Sequence, residues 1–562
     1  MSKDEMKRPW LALACILTAL KLWLTAGQPI FGIGGASYDD RLFLELANSL
    51  LRGEWLGGYQ PLTLAKGPFY SMWIAAVHTL GLPLRLAEQL AYACACVLVV
   101  VALAPVLRSA WKRTAVYALL LWNPMTFEGT VLGRVLRQNI YTPLTVLVFA
   151  CLIALYLRAG SSGRRLLPWA LGLGLASAAF YLTREESVWI VPSALLLGLA
   201  ACHRAWREGG KTSLKSLAAA ASAAAFCAAL PVLAVCALNA RHYGWFGTVE
   251  FRAQAFNDAY GALLRVKPAE EIPFVPVTRE TRERIYKASP AFAELRPFLE
   301  GDLGRAWAAN SSFVTHLPDE RLEIAGGWFM WALRDAVRQA GHAPDAGSAL
   351  AFYRRIADEV NAACDAGRLP AGPRRSGFLP PWRKGQTALL AKSFVEFADA
   401  FASFSKFTAY APPSIGDDNL LSLFRDLTRE RMSSSPDVFS AQSPRTAKLD
   451  LWKVDVLQAA GKVLRRILFA LVLAAHAIVI LRVVQAWRLR TPSPLLVVAA
   501  ASWGGCAACL LINALVNVTS FPTLSTGSFA QAYPLILLFV AVVGCDAADN
   551  LPKAGRSNRV PG

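Results

Sequence analysis

Histidine is scarce in this chain. The six in 562 residues (His78, His203, His242, His316, His342 and His476) are scattered, and no two stand at the H-x-x-x-H spacing that puts paired imidazoles on one helix face. No metal site and no cofactor is therefore predicted, although a divalent ion stays an open question at this point. Of the eleven cysteines, ten lie in or beside apolar runs and only Cys364 falls in the long polar stretch, so no disulfide framework can form there. The C-x-x-C of Cys506 and Cys509 lies inside an apolar run, where small packing residues are the simpler reading than redox or metal chemistry. No G-x-x-x-x-G-K-[ST] loop is present to bind a nucleoside triphosphate. Period-2 alternation is rare in the polar stretch and no internal repeat is seen, which leaves little room for sheet. Charge is thin as well: 17% of residues are charged against 55% hydrophobic.

What fills the chain instead is apolar sequence in near-spanning lengths, at about 10–26, 67–82, 89–107, 114–127, 140–157, 166–182, 187–202, 216–238, 463–482, 494–516 and 528–546. The fold class is an all-α polytopic membrane protein. The net charge of +19 invites a nucleic-acid partner, but Lys and Arg cluster in the short loops 108–113, 158–165, 203–215 and 482–490. That clustering is what retention of positive loops on the cytoplasmic side produces, so no nucleic acid is expected. Residues 10–26 read as a retained first span of a multi-pass protein of the bacterial inner (cytoplasmic) membrane. Counting crossings against the basic loops requires one apolar run not to cross. Residues 67–82 fit best: the run is short, opens on Gly67-Pro68, contains His78 and closes on Gly81-Leu82-Pro83. The predicted organisation is an N-terminal transmembrane bundle over 1–238 with an external acidic loop at 27–66. A mostly helical extracytoplasmic domain over 239–460 and a C-terminal set of transmembrane helices with a cytoplasmic tail over 461–562 complete it.

The stretch with chemistry in it is Ser37-Tyr38-Asp39-Asp40-Arg41, which opens a helix whose Leu42, Phe43, Leu46, Ala47 and Leu50 share one face. That pattern predicts a short amphipathic helix lying in the membrane interface. Asp39 and Asp40 are candidates for the group that accepts a hydroxyl proton. Ser37 and Asp40 also match a capping box, which makes Asp39 the better base. Arg134 and Arg137, the turn Thr183-Arg184-Glu185-Glu186, and Lys66 and His78 flanking the short run are expected on the same outer face. Carboxylates and guanidiniums together suit a reaction needing a base and an anion clamp. Singly, each has a plainer reading: interfacial anchors for Arg134 and Arg137, a solvated loop charge for Lys66, a flexible turn for Gly32 to Gly35. Their order and common face carry the argument.

That order resembles the GT-C superfamily of polyprenyl-phosphate-dependent glycosyltransferases, especially its protein O-mannosyltransferase and lipid A aminoarabinose transferase branch. The likeness covers roughly residues 10–205. It rests on the acidic pair after the first span, Gly67-Pro68-Phe69-Tyr70 leading into a short apolar helix, Arg134 before a Leu-rich span, and Leu182-Thr183-Arg184 closing a Gly-rich helix. The chain departs from the pattern at Gly67-Pro68, where those relatives often have Pro-Pro, and at Gln531-Ala532-Tyr533-Pro534, where they tend to show Arg-Tyr. The resemblance implies a GT-C-like bundle and Asp39 or Asp40 as catalytic base. By that likeness Arg134 and Arg184 would hold the carrier phosphate; Arg137, Glu185, Lys66 and His78 are candidate substrate contacts from their expected place on the same outer face. The resemblance also implies transfer of a sugar, with inversion, from a polyprenyl-phosphate donor to a hydroxyl of an extracytoplasmic glycan, lipid or protein. The partners are then that donor, its acceptor and membrane lipid. The alternative is a non-enzymatic transporter or envelope-polysaccharide assembly factor. A transporter would favour mid-span charges and two related halves, whereas the notable charges here lie at span ends.

Overall fold

The structure is a computed structural model that describes residues 8–184, 187–433, 444–489 and 493–550. The apolar runs fold as helices because a backbone surrounded by hydrocarbon must satisfy its own N–H and C=O groups. They begin with α1 (Arg8–Thr25), α2 (Asp40–Leu51), α3 (Phe69–Thr79) and α4 (Leu84–Leu103). Next come α5 (Ala110–Leu121), α6 (Gln138–Leu157), α7 (Gly163–Thr183) and α8 (Val191–Tyr243). α8 is two arms joined at Gly210, whose φ of 55° and ψ of −138° no helix contains. A compact set follows: α9 (Gln254–Arg265), α10 (Arg279–Ala288), the single turns α11 (Pro290–Ala293) and α12 (Arg296–Leu299), α13 (Asp302–Thr315), α14 (Gly326–Gln339) and α15 (Ala346–Asp365). The chain ends through α16 (Gln386–Ala402), α17 (Asp418–Thr428), α18 (Pro444–Leu489), α19 (Pro494–Thr519), the turn α20 (Thr526–Phe529) and α21 (Tyr533–Asn550). No strand forms among the described residues; three isolated bridges pair Ile30 with Met432, Ile33 with Ile415 and Val266 with Ala371.

Seven helices among the described residues are long and apolar enough to cross a membrane, and the chain is an all-α multi-pass membrane protein. α3, at 11 residues, reaches only about 16 Å at the rise of an α-helix. That is roughly half the hydrocarbon thickness, so it cannot cross. α5 has 12 residues, yet its strand of chain runs the height of the bundle when continued by the 3-10 turn Pro124–Phe127. At one end Lys112 donates to Asp549 and to the Cys545 carbonyl; at the other Val131 lies against Gly527. The chain from 112 to 131 therefore keeps pace with α21 from its last turn to just before its first. This puts the basic segment 108–113 and the loop carrying Arg134 at opposite ends.

Two hydrophobic cores result. The larger runs through the transmembrane helices and takes in Phe397, Phe401, Phe404 and Phe424 from α16, α17 and their neighbourhood. Phe401 and Phe404 stack on Tyr533 with ring centroids 4.6 and 4.9 Å apart. The smaller spans Val249 to Leu369 and centres on Phe256, Tyr260, Phe329, Tyr353 and Ile356. In the Trp328-Phe329-Met330-Trp331 run, Phe329 is core, while Trp331 faces Phe251 and Tyr38 with centroids 4.8 and 4.7 Å away.

α2 differs from a helix lying on a membrane surface. Leu42, Phe43, Leu46 and Ala47 are buried as its period requires, but so are Leu44 and Ser49. α3 covers one side and α17 another. The residues between α1 and α2 are not a flexible turn either. Ile30 and Ile415 give N–H groups to Arg431 and Gly32 carbonyls at 2.9 Å, and Phe31 gives its N–H to the Gly133 carbonyl at 3.0 Å. A side chain at Gly32 would run into Phe424 and Met432, and one at Gly34 into Leu420.

Candidate functional site

This pinned approach delivers Asp39 and Asp40 to a fixed place. Asp39 is the N-cap of α2 but makes no side-chain cap bond, so the capping box expected from Ser37 and Asp40 does not form. Asp40, in the first turn, is fully buried and takes both its oxygens to Arg134: Nε donates at 3.0 Å and Nη2 makes the second bond. Burial pushes the Asp40 carboxyl above its ordinary range while Arg134 pulls it back. Asp39 is 53% exposed and accepts from Lys66 Nζ at 2.8 Å, with Arg134 Nη2 at 3.9 Å. Lys66, and after it Arg134 and Arg137, hold the Asp39 carboxyl below the usual carboxylate range. Fork-shaped pairing of one guanidinium with one buried carboxylate fixes both planes, and the Nη2 that bonds Asp40 is the nitrogen 3.9 Å from Asp39.

Neighbouring groups set the frame. The buried Glu128 carboxylate accepts N–H groups of Thr130, Val131 and Leu132 at 2.8, 2.9 and 3.0 Å, which folds the loop carrying Arg134. Lys66 also donates to the Tyr38 carbonyl and lies 5.6 Å from the Phe43 ring and 5.9 Å from that of Trp331. The Tyr38 hydroxyl donates to both oxygens of Asp335, at 3.0 and 2.8 Å, and Trp307 Nε1 donates to the same carboxylate at 3.2 Å. Burial raises Asp335 and, with the carboxylate beside it, Tyr38. None of Glu128, Tyr38, Trp331 or Asp335 follows from sequence spacing. The signal available was the acidic residue five before Gly133, and it is weak.

The predicted residues divide. Asp39, Asp40, Lys66 and Arg134 form one cluster, and Arg137 stands close enough to act on Asp39 while giving Nη1 to the Thr183 carbonyl at 3.2 Å. Arg184 follows the Thr183 that Arg137 reaches; its guanidinium carbon lies 5.5 Å from the Tyr141 ring centroid, and its carbonyl accepts from Arg252 at 2.8 Å. His78 belongs elsewhere, since Nδ1 meets the Leu427 carbonyl of α17 at 3.2 Å. A ring docked on a helix end explains that histidine without chemistry. Glu185 lies outside the described residues.

Behind the cluster, Tyr70 donates to Glu88 at 2.8 Å and Arg85 donates to Gln28 at 2.9 Å. Arg85 and Glu88 also line a small cavity of about 30 Å³, together with Gln89, Asn123, Gln138 and Asn139 among others. Arg85 Nε, Gln89 Oε1, Asn123 Nδ2 and Gln138 Oε1 are buried in its wall without partners. Space of that size and polarity suits a few waters, not a sugar. The side of Asp39 open to a small molecule is its exposed one.

No protein-family model matches the chain, and no curated protein does. Among solved structures, the apo crystal structure of ArnT from Cupriavidus metallidurans aligns over 96% of this chain and 79% of its own, at 14% identity and a TM-score of 0.32.

Proposed function

We propose that the chain is a membrane glycosyltransferase of GT-C type that moves a sugar from a polyprenyl-phosphate carrier to an acceptor hydroxyl at the extracytoplasmic face. The observation that carries this reading is a half-exposed carboxylate, Asp39, with Lys66, Arg134 and Arg137 gathered around it at the ends of membrane helices. Nucleotide sugars are a cytoplasmic resource, so an outward-facing transferase requires a lipid-linked donor. The basic loops at the opposite end of the bundle support that orientation.

In the proposed reaction the acceptor oxygen attacks the anomeric carbon as the bond to the carrier phosphate breaks, in one displacement that inverts the centre. Asp39 takes the hydroxyl proton. The departing phosphate keeps the bonding pair and needs no proton, only cations; Lys66, Arg134 and Arg137 supply them. Asp40 holds Arg134 in place and is a positioning residue. Lys66 has two partners to choose between: bound to the phosphate it leaves Asp39, whose basicity then rises at the moment a base is required.

Purified protein should transfer sugar, and Asp39→Asn should lower the rate by roughly 10²–10⁴-fold. Asp40→Asn should lower it too, through a loosened Arg134. Undiminished transfer by both variants would remove Asp39 and Asp40 from the mechanism, whereas no transfer by the unaltered protein would return the chain to the transporter or assembly-factor class.

A further inference from the structure

The outer end of α7 has cations on two sides. Arg137 reaches the Thr183 carbonyl from the side of the candidate site. From the other side Arg252 lies over the Tyr181 ring at 3.9 Å and donates to the Arg184 carbonyl at 2.8 Å. Arg252 is also the near wall of an open groove of about 860 Å³ between the start of α9, the outward face of α15 and the turn at 374–376. Four guanidiniums line it, Arg252, Arg354, Arg374 and Arg375, against two carboxylates, Asp258 and Asp358, with Arg374 also paired to Asp365. Arg375 Nε is buried in that wall without a hydrogen-bond partner. Trp245 offers a partly exposed ring at one end, and Gln254, Asn361 and Ser376 add amide and hydroxyl groups.

The volume falls in the range of small-molecule and oligosaccharide sites. Excess arginine selects an anion and, being planar and forked, prefers carboxylate or phosphate. An aromatic face beside amides and carboxylates that can each meet paired hydroxyls suits a pyranose ring better than a peptide. We propose that this groove binds an acidic saccharide, the part of the acceptor remote from the hydroxyl that reacts. The acceptor role rests on the transferase reading above; the binding chemistry rests on the groove. Contact between Arg252 and the end of α7 places a chain held there within a few residues of the Arg137 side.

The full-length protein in lipid nanodiscs can be titrated with tetragalacturonate, with uncharged maltotetraose and with hexaglutamate. Tetragalacturonate should bind and maltotetraose should not. The exposed pair Arg354→Ala and Arg374→Ala should weaken binding by roughly tenfold or more, as loss of charge-assisted pairs does. Trp245→Leu should weaken the saccharide, and Trp245→Phe should retain it. Unchanged affinity in the double arginine variant overturns the proposal, as does hexaglutamate binding as tightly as the saccharide. Asp39→Asn should leave tetragalacturonate affinity unchanged while transfer is lost. If Asp39→Asn still transfers but the arginine pair governs binding, the base assignment fails and the groove stands; if Asp39→Asn abolishes transfer while the arginine pair leaves binding unchanged, the groove fails and the base stands.

Discussion

Asp39 and Asp40 are neighbours in sequence and opposites in environment. One is half exposed beside Lys66 with its proton affinity lowered; the other is sealed against Arg134 with its affinity raised by burial. Lys66 is the side chain that sets the first of these, so removing its charge has a readable consequence. In Lys66→Met the Asp39 carboxyl should climb back toward the ordinary carboxylate range. The acid limb of kcat/KM should then move to higher pH, because the base must be ionised to work and now protonates sooner. The maximal rate should fall as well, since the phosphate loses a cation. A pH–rate profile on both proteins checks this; an acid limb that stays put means Lys66 does not govern Asp39. The same sign holds for stability: a depressed carboxylate supports the fold above its unfolded pKa, and that support is lost as pH falls through the folded value.

At the scale of elements, the site depends on how closely α3 and α7 approach. Gly67 sits where a Cβ would fall 2.0 Å from the Leu182 carbonyl oxygen, which is backbone and has nowhere to move. Gly67→Ala should therefore force the entry to α3 away from the end of α7, costing about 1–3 kcal/mol. A drop in thermal midpoint with reduced transfer is the expected result, and an unchanged midpoint would show that the approach is looser. This also marks what could be read beforehand. The helical period starting at Asp40, the short length of the run at 67–82 and the segregation of basic loops are local properties, and each was legible as such. What covers α2 was not. Its second face is buried by α17, and the approach to it is held by residues such as Gln28, whose amide reaches the Ala409 carbonyl across 381 positions. Spacing predicts the direction a face points and says nothing about a partner that distant in the chain. The surroundings of Arg184 and His78 were hidden for the same reason: order along the chain does not show that Arg184 lies over the Tyr141 ring or that His78 meets the Leu427 carbonyl.

For the whole molecule, the question is what keeps the smaller helical core registered on the membrane bundle. The contact is polar and buried. Arg334 of α14, 6% exposed, pairs through Nε with Glu250, whose side chain is fully buried, and gives its other nitrogens to the Pro61 and Thr63 carbonyls. Tyr59 donates to the same Glu250 carboxylate, and Arg338 donates to the Tyr59 carbonyl at 3.3 Å. With the Tyr38–Asp335 bonds, these fix the loop from 59 to 66, and hence Lys66, against α14. A buried pair of this kind is weak testimony for stability when intact, but breaking one side strands the other charge. Glu250→Leu should cost about 3–5 kcal/mol, because Arg334 keeps its charge and loses its counter-ion. Replacing both, Glu250→Leu with Arg334→Met, should recover much of that loss while leaving the Pro61 and Thr63 carbonyls unpaired. The measurement is a thermal midpoint together with hydrogen exchange over 56–66. The single variant should expose that loop to exchange well below the temperature of global unfolding. The double variant should melt higher yet still exchange there, since the stranded charge is gone but the arginine that held the loop is gone with it. If the single variant's loop stays protected, Glu250 is not needed for the register, which the Arg334 and Arg338 bonds to the loop carbonyls and the Tyr38–Asp335 bonds then hold.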